Sequence, residues 1–403
     1  MVVLLGIGLE WQIKHRAEVG LASQHVDALA PDPTTSGEAA VATALISGST
    51  AVATASAATT TSAAVDTQAQ NILLLGSDSR AGGNATSGDS NSSTNGVSNS
   101  DVVMVAHISA SKHVSVLSIP RDTMIPAPTT CYTWNNATGV VSDQLYVPDA
   151  GQRFHFNAGY SVGGPKCTVK EVQSLTGLHI DRYIGIDFQG FQAMVDALGG
   201  ITVDICAPID DRMLGVVVAK AGVQKINGTQ ALNLVRARDV IGDSLSDLAR
   251  IRRQQIVLST ILRQVTQAGT MLNPNKLDSF LQAFVKNTQT DHVTLDDLVN
   301  LAGSLGSLSP GVVTFYTLPT TPSTITPGAL EVNQAATATL LAKIKSDGMA
   351  TPSVGATASR ATTSKVAPTT TKSAPTSTAT KATTSKVESV NAGTAQCAGP
   401  GNE

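Results

Sequence analysis

DVVMVAHISASKHVSVLSIPRD, residues 101–122, reads as two short apolar runs, Val102 to Ile108 and Val114 to Ile119, joined by the tight turn Ser109-Ala110-Ser111-Lys112. Continuous apolar runs of this length are the mark of strands covered on both faces. A turn this short makes the pair antiparallel. Asp101, at the start of the first run, and Arg121, just past the end of the second, therefore share one sheet edge. A further apolar run, Asn71 to Leu75, leads into Gly76-Ser77-Asp78-Ser79-Arg80. Asp78 joins the same edge if that strand runs parallel to Val114–Ile119. Charged residues at strand ends are often only solvated turn residues, so this convergence needs support from elsewhere in the chain.

Further along, helix signals cover Thr168 to Thr176 and Phe188 to Leu198, where Phe188, Phe191, Val195 and Leu198 recur at helical spacing. Gly199-Gly200 stops that helix. Ile201 to Ile205 returns as a strand, Gly228 to Val235 is helical, and Leu248 to Val265 is a long helix. Beyond about 270 come more helices, a strand near Val312 to Leu318 and a last helix near Glu331 to Lys345. The alternation predicts an α/β fold, an α-β-α layered sandwich around a central mixed β-sheet with disordered N- and C-terminal segments. The expected organisation is a main domain over 69–265 with a helical and strand extension over 266–348 packed on it. Residues 13–68, rich in Ala, Thr and Ser from 30 onward, read as a flexible spacer. Residues 349–403, with Lys365, Lys372, Lys381 and Lys386 set among Thr, Ser, Ala and Pro, read as a tail that cannot bury enough surface to fold.

Hydrophobic residues make up 42% of the chain, enough for a real core, while 14% charged residues and a net charge of −3 give no global pull toward nucleic acid. Any anion site must be local. The N-terminal MVVLLGIGLEW has roughly eight apolar residues before Glu10, too few to span a bilayer, which takes about 20. Residues 1–12 are expected to be the outer end of a transmembrane helix that begins upstream; a short amphipathic helix is the alternative. Cys131, Cys167, Cys206 and Cys397 form no CxxC pair, which argues against a zinc ribbon. In an exported protein three connectivities are open, of which Cys131 with Cys167 and Cys206 with Cys397 is favoured. Four buried free thiols are the alternative.

The support for an anion site lies in Val235-Arg236-Ala237-Arg238, followed by Asp239, Asp243 and Asp247 and by a helix carrying Arg250, Arg253 and Gln254. On extended backbone the period-two spacing of Arg236 and Arg238 points both guanidinium groups the same way. Positions 250, 253 and 254 share a helix face, whereas Arg252 points elsewhere. Arginines gathered in this way repel unless an anion sits between them, and the local acids cannot all serve as partners at once. A diphosphate fits, since each guanidinium donates paired hydrogen bonds worth about 1.5–3 kcal/mol each when charge-assisted. The bland alternative is an N-cap at Ser246 or Asp247 with surface ion pairs. Aspartates beside such a pocket suggest Mg2+ rather than zinc, for the histidines show no HExxH spacing. GxxxxGK[ST], GxGxxG and GxSxG are all absent.

Taken in order, NILLLGSDSR, SDVVMVAHIS, VLSIPRDT, FNAGYSVGGP, LTGLHIDRYIGIDFQGFQAMVDALGGITVDI, GTQALNLVRARD and SDLARIRRQQ resemble the successive motifs of the LytR-CpsA-Psr family over roughly 70–262, in its actinobacterial form. The resemblance implies a single-pass membrane protein whose extracytoplasmic domain transfers a glycan from a polyprenyl-diphosphate carrier onto peptidoglycan, forming a phosphodiester. It also implies that Asp78 and Asp101 hold Mg2+ and that Arg121, Arg236, Arg238 and Arg250, with Gln254, hold the diphosphate; Arg80 and Arg253 are added from their placement. Arg121, Arg236, Arg238 and Asp247 are the expected catalytic set, with Asp247 as candidate base. The implied partners are the lipid-linked glycan, the peptidoglycan acceptor and the membrane, with no nucleic acid. This chain has His155 where the family often has lysine, and Asn99 where a basic residue often precedes the aspartate at 101, so the pocket carries less positive charge and one contact becomes pH-sensitive. Phe156, Phe188, Phe191 and the run Val216 to Ala219 are candidates for an apolar lipid channel, though each also suits ordinary core. A lipid-diphosphate diphosphatase and a non-catalytic binding or regulatory protein are the rival readings.

Overall fold

The computed structural model describes residues 15–30, 69–77, 99–128, 130–135, 139–243, 247–266, 274–298, 310–346, 389–394 and 396–400. Among these, β1 (Gln70–Ser77), β2 (Ser100–Ile108), β3 (Val114–Ile119), β4 (Arg182–Asp187), β5 (Thr288–Asp291), β6 (Val313–Thr317) and β7 (Ser389–Asn391) form one sheet in the order β5-β4-β1-β2-β3-β6-β7. The two runs that opened the sequence reading pair antiparallel, with Val105 opposite Leu117. β1 is antiparallel to β2, with Leu74 opposite Met104, so β1 and β3 do run the same way. β4 lies parallel to β1 and β6 parallel to β3, which makes the sheet mixed.

Side chains that alternate along these strands feed two separate cores. Ile72, Met104, Ala106 and Val116 pack against α2 (Phe188–Ala197), α3 (Gly228–Arg236) and α4 (Asp247–Thr266) through Val195, Leu234, Ile256 and Val257. Leu73, Leu75, Val103, Val105 and Leu117 pack the other way against Val169 and Val172 of α1 (Ala158–Thr176) and Leu340 and Ile344 of a helix over Gln334–Lys345. The result is the expected α-β-α sandwich. At about 1.5–3 kcal/mol for each fully buried aliphatic side chain, this two-faced pattern is its main stabilising term.

Several boundaries differ from the sequence reading. The Ala158–Thr176 helix begins ten residues before Thr168, because two helical pieces join across a kink at Gly163-Gly164, with Pro165 starting the second. Gly164 is required there: its φ is +61°, and a Cβ would meet the Trp134 ring at 2.4 Å. Ile201–Ile205 leaves the central sheet and pairs instead with Gly222–Ile226. A division at 265 cuts through the sheet, since β5 and β6 come from the supposed extension. β6 is the strand expected near Val312 to Leu318, whereas β5, four residues long, is too short to announce itself by periodicity.

Both expected tails also contribute structure. Within the 13–68 spacer, a helix over 15–23 buries Ala17 and Leu21 against Val285 and Leu295. Val26 then donates its backbone N–H to Thr290 at 3.0 Å, beside β5. Residues 1–14 and 31–68 lie outside the described residues, as does most of the C-terminal tail. The end of that tail supplies β7 and the disulfide Cys206–Cys397, with Ala398 bridged to Ile205, while Cys131–Cys167 forms the second disulfide. The favoured connectivity is the one present.

Candidate anion site at the sheet edge

The carboxyl ends of β1, β3, β4 and β6 and the amino end of β2 fall along one edge of the sheet. Asp101 stands near the start of β2, and Arg121-Asp122 form the turn after β3, held where Arg121 and Thr123 carbonyls accept from Asn157 and Phe156. Arg121 donates to Asp101 and lies 3.6 Å from Asp122. Asp122 accepts from Arg238 at 3.1 Å. Arg238 lies 3.7 Å from Asp247, which in turn pairs with Arg250 at 2.6 Å. Three carboxylates and three guanidiniums thus alternate from one element to the next.

This corrects the expectation that the local acids cannot all serve as partners at once. Asp122 is tied to Arg121 by sequence, and Asp247 opens the first turn of α4, so the fold delivers one carboxylate between each pair of arginines. The satisfaction is nevertheless incomplete. Arg121 Nε, Arg250 Nε and the second carboxylate oxygen of Asp247, Oδ2, are buried without a hydrogen-bond partner. Buried polar atoms of this kind call for a ligand, an ion or water. Arg238, with 40% of its side chain exposed, is the most exposed member of the row.

Electrostatics follow from this packing. Burial opposes the Arg121 charge, but Asp101 and Asp122 outweigh it and raise its pKa. Burial, reinforced by Asp247, raises the Asp122 carboxyl above the usual range. Burial lowers the Arg250 pKa despite its pairing with Asp247. A second anion entering the row would meet guanidiniums already desolvated, where charge-assisted hydrogen bonds are strongest.

The other predicted residues divide. Arg253 is wholly buried and donates to the Ala237 carbonyl at 2.7 Å while pairing with Asp243, and Gln254 donates to the Val235 carbonyl at 3.1 Å. Both fix the backbone that presents Arg238. Arg252 points away, toward Gln396. Arg236 and Arg238 do not share extended backbone: the Asn227–Gln230 capping box and the buried Ala231, Leu232 and Leu234 carry α3 through Arg236. The guanidinium of Arg236 stacks over Phe188, 4.7 Å from the ring centroid. His155 Nδ1 is 3.3 Å from the Asp122 carbonyl, so it does stand beside the row. Asp78 and Arg80 lie outside the described residues.

Three contributors were missed. Asp122 was in view but assigned no part. Buried Asp211 accepts four backbone N–H groups, from Met213, Leu214, Arg238 and Asp239. Gln255 ties α4 to the ends of β3 and β6 through Ser118 at 2.9 Å and Thr317 at 3.1 Å. The expected channel residues do not form one wall, for Phe156 lies in the core on one face of the sheet and Val217, Val218 and Phe191 pack on the other.

Among the described residues no group of three or more His, Cys, Asp or Glu side chains converges as a metal site. Asp101 offers a one-fifth exposed carboxylate beside Arg121. A lone hard oxygen donor suits Mg2+, which keeps waters and completes its shell with substrate phosphate oxygens.

Comparison with known proteins agrees with this architecture. The LytR_cpsA_psr family model matches residues 40–346. The probable cell wall biosynthesis protein LcpB of Corynebacterium glutamicum is 34% identical over 216 residues, covering 52% of this chain and 45% of that protein. The polyisoprenyl-teichoic acid–peptidoglycan teichoic acid transferase TagV of Bacillus subtilis is 29% identical over 184 residues, 45% of this chain and 41% of that protein. The chain thus matches about half the length of these relatives. The crystal structure of B. subtilis TagV superposes with a TM-score of 0.54 at 22% identity, covering 70% of this chain and 98% of that one. A LytR-Csp2A-Psr enzyme from Actinomyces oris gives 0.52 at 23%, covering 69% and 90%. These structures share the fold, and the extent of the family match makes the chain a member of the LytR-CpsA-Psr family.

Proposed function

We propose that the chain is an extracytoplasmic phosphotransferase that moves a glycopolymer from a polyprenyl-diphosphate carrier onto peptidoglycan, forming a phosphodiester. The observation that carries this reading is the row from Asp101 to Arg250, with buried Arg121 and Arg250 donors still lacking acceptors at the sheet edge. Relatives named as teichoic acid transferases support the direction of transfer. In this reading residues 1–12 belong to a membrane anchor, which sets the domain beside its lipid-borne donor.

Arg121, Arg238 and Arg250 bind the diphosphate and offset the charge that builds on its oxygens, with Arg236 at the neighbouring helix end. Arg80, Arg253 and Gln254 belong to the same proposed anion-binding group, the last two acting through the backbone they hold. A sugar hydroxyl of the acceptor attacks the glycan-bearing phosphorus. A new sugar O–P bond forms, the bridging P–O bond breaks, and lipid monophosphate leaves. Asp247, whose Oδ1 is held by Arg250 and whose Oδ2 has no donor, takes the hydroxyl proton. Asp78 and Asp101 would hold Mg2+, which when bound supplies further neutralisation of phosphate charge.

The test incubates the purified protein with lipid-diphosphate glycan, Mg2+ and peptidoglycan oligomers. A covalent glycopeptide supports the transferase. Lipid phosphate released without linkage points to a diphosphatase, and binding without turnover to a binding protein; either overturns the proposal. Asp247→Asn is expected to bind donor but lose turnover, and unchanged ligation removes Asp247 from its role as base.

A further inference from the structure

Beside the anion row the same sheet edge holds a cleft of about 180 Å3 between the ends of β1, β4 and β5. We infer that this cleft, bordered by Ser77, Tyr160, Gly185, Asp187, Asn287 and Gln289, is the subsite for a neutral sugar ring of the acceptor. The assignment rests on the transferase reading above and adds to it where the second substrate sits.

Position is the first argument. Ser77 is paired with Asp187 on one side and with Ser100 on the other, and Asp101 follows Ser100 directly. The cleft therefore abuts the end of the row at which Asp101 meets Arg121. On its other flank, Asp187 leads into Phe188, the ring under Arg236. A ring held here has its hydroxyls beside the diphosphate without competing for the arginines.

The lining offers hydroxyl and amide groups from Ser77, Tyr160, Asn287, Thr288 and Gln289, with one carboxylate, Asp187, and one ammonium, Lys286. Such a wall has no charge surplus for an anion and too little apolar surface for a prenyl chain. It offers both donors and acceptors, as a polyhydroxylated neutral ring requires. The volume corresponds to about six waters, a space comparable to one sugar ring.

Tyr183 is the third, independent observation. Its hydroxyl is buried and has no hydrogen-bond partner. It lies over Gly185, where a Cβ would meet the Tyr183 oxygen at 2.4 Å, and Gly185 itself lines the cleft. The absent Cβ makes room for the phenol oxygen directly behind the Gly185 backbone. Burial holds the phenol pKa well above its usual value, so it stays a neutral donor. A buried donor without a partner, set directly behind the Gly185 wall of a polar cleft, calls for a ligand hydroxyl or a water that reaches it past the glycine.

The test uses the full chain and N-acetylglucosamine oligomers as probe, with binding read by NMR titration and kinetics by varying donor and acceptor separately. Saturable binding that shifts the signals of cleft residues is expected. Tyr183→Phe, which keeps the ring, is expected to weaken that binding about five-fold and to raise the acceptor KM alike while the donor KM stays put. Gln289→Ala, on a short edge strand, is expected to act in the same direction. Wild-type protein with no saturable sugar binding overturns the assignment. So does Tyr183→Phe with unchanged binding and a raised Tm, the behaviour of a merely structural orphan. Oligomer binding in the cleft of a protein that transfers nothing leaves the subsite standing and removes the transferase reading. Transfer with an acceptor KM that neither variant moves does the reverse.

Discussion

Asp211 holds Arg238 by its backbone: one carboxylate oxygen accepts the N–H of Arg238 and that of Asp239, each at 2.8 Å, while the other accepts from Met213 and Leu214 at 2.9 and 3.0 Å. The most exposed guanidinium of the row is thereby mounted on a rigid, buried anchor. Arg253 and Gln254 brace the same stretch from the α4 side. Asp211→Asn turns an amide NH2 toward donors and leaves some of them unsatisfied. A loss of about 3 kcal/mol in stability is expected from denaturant titration, with weaker donor binding in the fraction that remains folded.

How much of this was legible depends on the reach of each signal. The antiparallel pairing of Val102–Ile108 with Val114–Ile119, and so the meeting of Asp101 with Arg121, follows from a four-residue turn and was readable locally. The face of α4 was readable from helical spacing, and Arg252 does point away from Arg250, Arg253 and Gln254. What Arg253 and Gln254 face was not, because Ala237, Val235 and Asp243 reach them only through tertiary packing. Asp211 was hidden for the same reason: its four partners come from two separate loops. The extended backbone expected for Arg236 failed because a capping box nine residues earlier had already committed that stretch to helix.

Glu171 gives a pH signature away from the site. It is buried beside Gly159, with Oε1 3.9 Å from the disulfide sulfur of Cys167 and Oε2 without a partner. Burial raises its pKa from 4.5 to about 8. The folded state therefore keeps a proton that the unfolded state gives up, so stability is greatest below about pH 4.5 and declines as pH rises toward 8. Each unit in that window costs up to about 1.4 kcal/mol. Glu171→Gln is expected to flatten this slope, as read by chemical denaturation at pH 5 and pH 8; a slope that persists would assign it to other groups.

The Cys206–Cys397 disulfide closes a separation of 191 residues and fastens the segment that supplies β7. Cys206→Ser with Cys397→Ser is expected to lower stability by about 2–5 kcal/mol, and reductant to lower the wild-type Tm similarly. An unchanged Tm in the double variant would show that β7 docks without the tether.

His155 stands 4.0 Å from the Asp122 carboxylate. His155→Lys places a permanent positive charge beside the row. Tighter binding of a short prenyl diphosphate, by about three-fold at moderate salt, is expected from calorimetry, and the gain should fade as salt is raised. Weaker binding would mean that the ammonium draws Asp122 away from Arg238.

In the proposed reaction the row hands a phosphoryl-linked glycan to a sugar hydroxyl rather than to water. Phosphorus-31 NMR of the complete reaction, with lipid-diphosphate glycan and peptidoglycan oligomers, counts both products at once. One new phosphodiester for each lipid monophosphate released, lost together in Arg238→Ala, is the predicted result. Lipid monophosphate that accumulates without a matching phosphodiester would contradict it.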